Sequence, residues 1–547
     1  MNSAPSDTAS RRSFAGRLDL AWPRLDAAGA GASVLFVMTG PLLAGLAYAL
    51  KQPALYFDGD NAVDELALMN SGHLAQLVGN YSRFRWSHPG PAWFYALDVV
   101  YQPLGGHSWG FVVATLLLNA IVLALIVIAV WLARGPLLAV LAAALLLLYV
   151  GGLGDQLFRD PWPPFAVILP MCLLFFLAAS AAAGSLPALM AALIVGSYLA
   201  QTHLGTAPTV AAVIGGAVLV RLITGSASGG RRQRSHVPLV AATVAILGLV
   251  WAPPVIDELA NRPGNLTLIW TFFTSPHQTH RYLEAISVLG RFLWVPEIGQ
   301  LRTLHDQDLA AVSPAYLAVA GTFSLFCLGL IGTGTLGRDR FAQALGVIIG
   351  AALVAIVVSI HSVSGPVYAY LLHWVSTLPL VLAVGWLSVA VGSRRFSRMG
   401  APDLAGIGGW TALLLVVIGL SVARAAGFLA LPPPPVATAD THEAWAYTAA
   451  ALTAEPHQPV VLELNTTDTW VLAAGIGLQL AKAGYPVRVH DDMLFMYGPQ
   501  ARMTGREMLA LIVVDGHDLT AFEAGNPDAR LIGQTQLHGL FLRRLHP

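Results

Sequence analysis

FDGDNAVDELALMNSGHLAQLVGNYSRFRWSHPGPAWFY, residues 57 to 95, lies between two strongly apolar stretches near the N-terminus. The segment is rich in acids, arginines, aromatic residues and prolines, although only 11% of the 547 residues are charged. Polar side chains gathered at one surface of a membrane protein are typical of a functional site. The segment therefore predicts a membrane-embedded fold around it and a site within it.

The composition of the whole chain favours a membrane protein. Hydrophobic residues make up 56% of the sequence, and many apolar runs approach or exceed the ~18 residues that cross a bilayer. We expect a polytopic α-helical membrane protein with about 11 transmembrane helices. Their expected positions are 28–50, 108–133, 136–152, 163–183, 186–204, 206–223, 237–255, 314–333, 341–361, 367–392 and 404–428.

Charge and cysteine content exclude other classes. The formal net charge is zero, and no segment carries the basic stripe of a nucleic-acid-binding protein, so we expect no nucleic-acid partner. Both cysteines, Cys172 and Cys327, fall inside apolar runs, where a packing role rather than a disulfide is expected.

The arginines predict how the helices are oriented. With an odd number of spans, the arginine-rich ends all fall on one side, which the positive-inside rule makes cytoplasmic. We therefore expect a multi-pass protein of the inner (plasma) membrane. Its C-terminus is expected to lie outside the cytoplasm. The arginines that set this orientation are Arg11, Arg12, Arg17, Arg24, Arg221, Arg231, Arg232, Arg234, Arg338, Arg340, Arg394, Arg395 and Arg398.

A change of composition near residue 430 predicts a second domain. LPPPPV at 431–436 is typical of a stiff spacer. After it, strand-like and helix-like patterns alternate at 459–464, 469–484, 485–490 and 509–516. We therefore expect a transmembrane domain at 1–430 and a small outward-facing soluble α/β domain at 431–547.

Four acids open the polar segment. Asp58, Asp60, Asp64 and Glu65 stand within eight residues, and a helix over 60–70 would place Asp60 and Asp64 on one face. Such acids suit a hard divalent cation, or one of them suits a general base. An N-capping acid at a solvated helix start is the structural alternative. The sequence leaves the divalent cation open and fixes no cofactor or metal site.

The second half of the segment, YSRFRWSHPGPAWFY at 81–95, adds basic and aromatic residues. Arg83 and Arg85 offer fork-shaped donors suited to phosphate, and His88 adds an imidazole beside a rigid Pro-Gly-Pro turn. An interfacial aromatic belt would explain the aromatic residues, Tyr81 included, but not two arginines and a histidine among them.

These two motifs together resemble the GT-C superfamily of membrane glycosyltransferases. The resemblance is to the branch with protein O-mannosyltransferases and the aminoarabinose transferases of lipid A, whose pattern runs Asp-Glu and then Lys/His-Pro-Pro-aromatic. Asp60, with Asp58 near it, matches the catalytic acid, and His88-Pro89-Gly90-Pro91 matches the second motif. Asp-Gly-Asp replaces the adjacent Asp-Glu, and Gly90 replaces the first motif residue after the proline.

The resemblance implies a GT-C-like fold and a transferase. Such an enzyme takes a sugar from a polyprenyl-phosphate donor, whose tail lies among the membrane lipids, and transfers it to an extracytoplasmic acceptor: a glycan, lipid or protein. An acid deprotonates the acceptor hydroxyl, usually with inversion at the sugar. On this basis Asp60 is the expected catalytic acid with Asp58 or Glu65 as its helper, and Tyr81, Arg83, Arg85 and His88 are expected to bind substrate.

Other outward residues are weaker candidates for substrate binding. Arg159 and Asp160 precede a Pro-Trp-Pro-Pro run, where capping the next helix is an equal alternative. His203 ends the fifth predicted span, where a histidine is more often only hydrogen-bonded. In the C-terminal domain, Asp491 and Asp492 fall at a predicted strand end, where surface turns are favoured and acceptor binding is the alternative.

Two rival functions stay open. A transporter or lipid flippase should carry ionisable residues near the bilayer midplane and discontinuous helices in repeated halves, whereas the acids here crowd the predicted outer surface. A non-catalytic envelope assembly protein would leave the polar segment at 57–95 unexplained.

Overall fold

A computed structural model describes residues 8–225, 236–304, 307–392, 407–432, 439–453, 455 and 457–545. The chain up to residue 432 is helical. Its α-helices are α1 (Thr8–Lys51), α2 (Gly59–Ser71), α3 (Ala92–Tyr101), α4 (Ser108–Arg134), α5 (Pro136–Leu153), α6 (Asp155–Arg159), α7 (Pro163–Ala166), α8 (Ile168–Ala182), α9 (Leu186–Thr202), α10 (Ala207–Ile223), α11 (Val237–Ala260), α12 (Asn265–Thr274), α13 (Tyr282–Leu293), α14 (Pro314–Gly337), α15 (Arg340–His361), α16 (Leu378–Gly392) and α17 (Ile407–Ala430).

Ten helices in the described part of the chain are long and apolar enough to cross a membrane. Each corresponds to one of the predicted spans. The remaining predicted span, the fifth, corresponds to the shorter apolar helix α9, which has 17 residues. The expected polytopic membrane architecture is confirmed.

The transmembrane helices differ in how deeply they are buried in the bundle. The span Pro163–Ala182 has 89% of its apolar window buried, so it lies at the centre. The span Val237–Ala260 has only 11% buried, and its exposed apolar surface is suited to contact with lipid tails. Helix α1 packs against α4 and α17, which joins the first and last spans.

The connections at 51–107 and 256–313, which lie between predicted spans, contain short helices. The expected helix at 60–70 is present as α2, and α3 follows the Pro-Gly-Pro turn. The aromatic run at 269–273 lies in α12.

The C-terminal part is a small α/β domain with one five-stranded sheet. Its elements are α18 (Ala439–Leu452), β1 (Val460–Leu464), α19 (Trp470–Lys482), β2 (Val487–Val489), α20 (Leu494–Tyr497), β3 (Leu509–Asp515), α21 (Leu519–Gly525), β4 (Ala529–Gln534) and β5 (His538–Arg544). The strand order is β2-β1-β3-β5-β4. Strand β1 is parallel to β2 and β3, whereas β5 is antiparallel to β3 and β4.

The three apolar strand patterns and the helix pattern of this domain correspond to β1, β2, β3 and α19. Strands β4 and β5 were not predicted. Strand β4 is an edge strand whose residues are mostly exposed or half-buried, so it lacks an apolar pattern.

Helix α19 of the C-terminal domain packs directly against α2 of the first outward loop. A Cβ atom at Gly475 would lie 2.8 Å from the backbone oxygen of Phe57, so only glycine permits this approach. Gly475 thus serves the packing of α19 against the first outward loop. The C-terminal domain is therefore fixed against the acid-bearing segment.

Candidate active site

The basic half of the polar segment forms a tight hairpin at 79–88. Tyr81 pairs with Ser87 in an antiparallel bridge, and the backbone N–H of His88 donates to the oxygen of Asn80 at 2.7 Å. Arg85 lies in the turn with a φ of +65°. The hairpin brings Tyr81 and His88 back toward α2 and the end of α9, while Arg83 and Phe84 near its turn contact the segment after α15 and helix α12.

Gly90 allows the Pro-Gly-Pro turn to approach the bundle. A Cβ atom here would clash with the side chain of Gln201 and would lie 2.8 Å from Pro254. The departure from the second family motif at Gly90 therefore has a packing reason.

Asp60 lies in the first turn of α2 and is held by the hairpin. The Tyr81 hydroxyl donates a hydrogen bond to its Oδ1. Burial, together with the charge of Asp60, raises the pKa of Tyr81, so the phenol keeps its proton and remains a donor. Asp60 also lines a cavity, so its carboxylate is both oriented and accessible.

Two further acids, Asp64 and Asp160, lie near Asp60. Asp64, one helical turn later, is fully buried, and neither carboxylate oxygen has a hydrogen-bond partner among the described residues. Burial raises the pKa of Asp64 well above its usual value, and the charges of Asp60 and Asp160 raise it further. Asp160 accepts a hydrogen bond from the Asn61 side chain at 3.1 Å. The acids of α2 and the 155–164 segment thus converge.

His88 and His203 form a buried pair with ring centroids 5.1 Å apart. Burial lowers the pKa of His88 well below its usual value, and the neighbouring His203 lowers it further. Burial lowers the pKa of His203 to about 4. The Nδ1 of His88 accepts from the backbone N–H of Leu204 at 3.1 Å, so the neutral ring carries its proton on Nε2.

Asp60, His88 and His203 line one cavity of about 470 Å³. Most of its wall is aromatic or aliphatic, and one wall residue, Trp470, comes from the C-terminal domain. The other large side chains in its wall are Tyr81, Phe84, Trp86, Trp162, Phe272, Phe273, Val358, Val363, Tyr370, Leu371 and Leu372. The cavity joins an apolar chamber to a carboxylate and two neutral imidazoles.

The two arginines of the hairpin point to different places. The Arg83 guanidinium lines this cavity, donates to the backbone oxygens of Ser364 at 3.0 Å and Pro366 at 3.3 Å, and lies 5.2 Å from the Tyr368 ring centroid. Arg85 instead lines a second cavity on the other side of Tyr81.

Glu65 lies away from the apolar cavity, in a contact between domains. It is fully buried and accepts hydrogen bonds from Tyr101 and Ser108, each at 2.8 Å, and from the Lys482 ammonium at 2.5 Å. Since Lys482 ends α19, this contact ties the C-terminal domain to α2. Asp58 is buried at the N-cap position of α2, before Asp60.

Arg159 is also placed in a structural contact. It is 2% exposed and donates to the hydroxyl of Tyr48 at 3.3 Å and to the backbone oxygen of Pro432, two residues after the last span. Neighbouring Asp155 pairs with Arg424 of α17 at 3.0 Å. The segment before the Pro-Trp-Pro-Pro run therefore holds the last span and the start of the linker.

Sequence reasoning missed Trp470 and Asn61 as parts of the site. Asn61 follows Asp60 directly, but Asp160, to which Asn61 donates a hydrogen bond, is 99 residues away. No local sequence pattern predicts that contact. Among the described residues, no three His, Cys, Asp or Glu side chains are arranged to hold a metal ion.

No family model matches this chain, and no curated protein matches it in sequence. Its fold is similar to that of ArnT from Cupriavidus metallidurans bound to undecaprenyl phosphate, with a TM-score of 0.54, 14% identity, and coverage of 94% of this chain and 97% of that chain. The apo state of the same protein gives a TM-score of 0.53, 13% identity, and coverage of 94% and 98%. The likeness is one of fold, and it confirms the predicted GT-C architecture.

Proposed function

We propose that this protein is a membrane glycosyltransferase that moves a sugar from a polyprenyl-phosphate donor to an extracytoplasmic acceptor. One observation carries the proposal: Asp60, oriented by Tyr81, lies at an apolar, aromatic cavity of about 470 Å³ in a membrane-embedded bundle of GT-C fold. An apolar chamber suits a lipid chain, and a carboxylate at its wall suits proton removal.

The donor phosphate needs hydrogen-bond donors at the same cavity. Both carbonyl contacts of Arg83 use one terminal nitrogen, so the rest of its guanidinium is left to donate to a phosphate. The neutral His88 adds an Nε2–H, and His203 lies beside it. We assign phosphate recognition to Arg83 with support from His88. The similar ArnT structure contains undecaprenyl phosphate, which supports a lipid-phosphate donor here.

Asp60 would act as the general base. One carboxylate oxygen takes the proton of the acceptor hydroxyl while that hydroxyl oxygen forms a bond to the anomeric carbon. The bond between the anomeric carbon and the phosphate oxygen breaks, and its electron pair leaves with the lipid phosphate. Attack opposite the leaving group inverts the anomeric centre. Tyr81 would hold the carboxylate in place through its hydrogen bond.

Asp60→Asn tests this assignment. The amide preserves size but cannot remove the proton, so transfer should fall by about 10² to 10⁴ while folding and donor binding persist. Transfer would be measured from a radiolabelled polyprenyl-phosphate sugar to the membrane's own acceptors. Asp58→Asn and Asp160→Asn report whether a neighbour is the base, and Asp528→Asn, on an exposed residue of the C-terminal domain, is the matched control. Transfer by Asp60→Asn at the parent rate would show that Asp60 is not the base.

Arg83 is tested by donor binding. Loss of a charge-assisted phosphate contact should weaken affinity by about 1.5 to 3 kcal/mol, so Arg83→Gln should bind polyprenyl phosphate roughly ten- to a hundredfold less tightly. Arg83→Lys keeps the charge and should retain part of the affinity, whereas Arg530→Gln, an exposed control, should not change it. If Arg83→Ala and Arg85→Ala together leave affinity unchanged, neither arginine binds the phosphate.

A further inference from the structure

A second cavity, of about 500 Å³, lies on the opposite side of the hairpin from the apolar one. The two cavities share Asn80 and Tyr81 as lining residues. One face of α2, through Val63, Ala67 and Asn70 at helical spacing, lines the second cavity. Tyr81, which donates to Asp60, thus lies between the apolar cavity and a second, more polar cavity.

The C-terminal domain contributes one wall of the second cavity. The segment at 491–502 lines it together with Arg85 of the hairpin and the junction between α11 and α12. This segment follows β2, in the turn and helix α20 beyond the carboxyl end of that strand. Open α/β sheets bind ligands at such strand ends, so this edge of the domain faces the site. The sequence favoured surface turns here, with acceptor binding as the alternative.

The lining of the second cavity is more polar than that of the apolar cavity, and it carries no net formal charge. It contains three arginines, Arg85, Arg262 and Arg502, and three aspartates, Asp257, Asp491 and Asp492. Two of the aspartates are already engaged. Arg502 pairs with Asp491 at 3.0 Å, and Asp257 accepts from the backbone N–H of Asn265 at 2.8 Å.

Side-chain amides and aromatic rings complete the lining. Asn70, Gln76 and Gln500 are among the amides, each with both donor and acceptor atoms. Tyr497 also lines the cavity; the residue is 8% exposed, and its hydroxyl has no hydrogen-bond partner within the described part of the chain. A buried hydroxyl without a partner is costly unless a ligand satisfies it.

We propose that the second cavity binds the acceptor and that the acceptor is a neutral, hydroxyl-rich carbohydrate chain. Adjacent sugar hydroxyls each donate and accept, which matches planar amides and carboxylates, while sugar C–H faces suit Tyr and Phe rings. A lipid acceptor would be better served by a lining as apolar as that of the first cavity, and a polyanion would need an excess of arginine. The inference rests on the proposed transferase function and deepens it by assigning acceptor recognition to the C-terminal domain.

Binding is measured on the full-length protein in lipid nanodiscs by saturation-transfer NMR. The probes are the neutral water-soluble glycans, the peptides and the lipids released from the envelope of the source cells, each as a separate fraction. We expect signals from sugar ring protons with the glycan fraction. The double variant Asp492→Ala with Gln500→Ala, on two exposed lining residues, should weaken this binding about tenfold. The matched control, Asp528→Ala with Gln536→Ala, changes exposed residues outside the cavity and should bind as the parent does.

Several outcomes would overturn the proposal: no signal from the glycan fraction, signals only from the peptide or lipid fraction, or glycan binding that survives the double variant. Polyprenyl-phosphate binding and Asp60→Asn transfer, measured on the same preparations, separate the two proposals. Glycan binding without Asp60-dependent transfer would contradict the proposed function and leave the carbohydrate site standing. Asp60-dependent transfer without glycan binding would contradict the carbohydrate site and leave the proposed transferase function standing.

Discussion

Asp64 lies in surroundings that are unfavourable for a charged carboxylate. An ionised carboxylate without partners in a fully buried position is costly, so the acid retains its proton to a higher pH than it would in water. Asp60 and Asp160 add to this effect because two further negative charges oppose ionisation. Asp64 thus lowers the stability of the fold at neutral pH.

Asp64→Asn should therefore raise the free energy of unfolding at neutral pH. The folded-state pKa of Asp64 lies above its ordinary value of 3.8, so the unfolded chain loses a proton that the folded chain retains, and stability falls as pH rises between those two pKa values. The gain from Asn should shrink as pH falls toward 3.8. Thermal unfolding of parent and variant in detergent across this pH range checks it, with Asp528→Asn as the exposed control. A loss of stability at neutral pH would instead indicate an ionised Asp64 that binds a cation.

The sequence predicted part of the site at the level of residues. The acids of 58–65 and the cluster of 81–88 stand out because each is dense in polar groups within an apolar chain. Their pairing, Tyr81 with Asp60 and His88 with His203, depends on a hairpin and a helix end that no local spacing encodes. The divergence of Arg83 and Arg85 depends on a single positive φ at Arg85, a conformation that arginine rarely adopts.

At the level of elements, the contact between α2 and α19 decides how the C-terminal domain meets the site. Glu65 is fully buried, and its charged partner is Lys482, whose ammonium lies 2.5 Å from the carboxylate. Both α2 and α19 were predicted as helices from their own patterns. Their packing against each other was not, because Glu65 and Lys482 are 417 residues apart.

Lys482→Met should destabilise the protein by about 3 to 5 kcal/mol, because it leaves a buried carboxylate without its counter-charge. The double variant Glu65→Gln with Lys482→Met removes both charges and should recover most of the loss. Thermal unfolding gives the coupling through a double-mutant cycle. Arg544→Met, which breaks an exposed pair with Glu455, is the control and should cost at most about 1 kcal/mol. Equal losses for Lys482→Met and Arg544→Met would contradict a buried interdomain ion pair.

At the level of the whole molecule, the site is assembled from segments that are far apart in sequence. Its residues come from the loop after the first span, the segments at α7 and after α9, helix α12, the end of α15 with the segment after it, and Trp470 of the C-terminal domain. All of these lie on one side of the membrane only if α9 also crosses it. The contact between His88 and His203 requires this. The pairing of Arg134 with Asp339 at 2.6 Å imposes the same condition at the other end of the bundle, because the loops after α4 and after α14 must then lie on one side.

Helix α9 is the critical span, because its 17 residues measure only ~26 Å along the axis. A short helix can cross where the bilayer thins around it. We therefore expect eleven crossings and an outward C-terminal domain: a compartment-sensitive reporter after Pro547 should report the extracytoplasmic side, and one placed within the arginine-rich segment at 231–234 should report the cytoplasm. A third reporter after Gly184, before α9, should be cytoplasmic. If the C-terminal reporter were cytoplasmic, the chain would cross an even number of times, and the first outward loop and the C-terminal domain could not meet at one membrane surface.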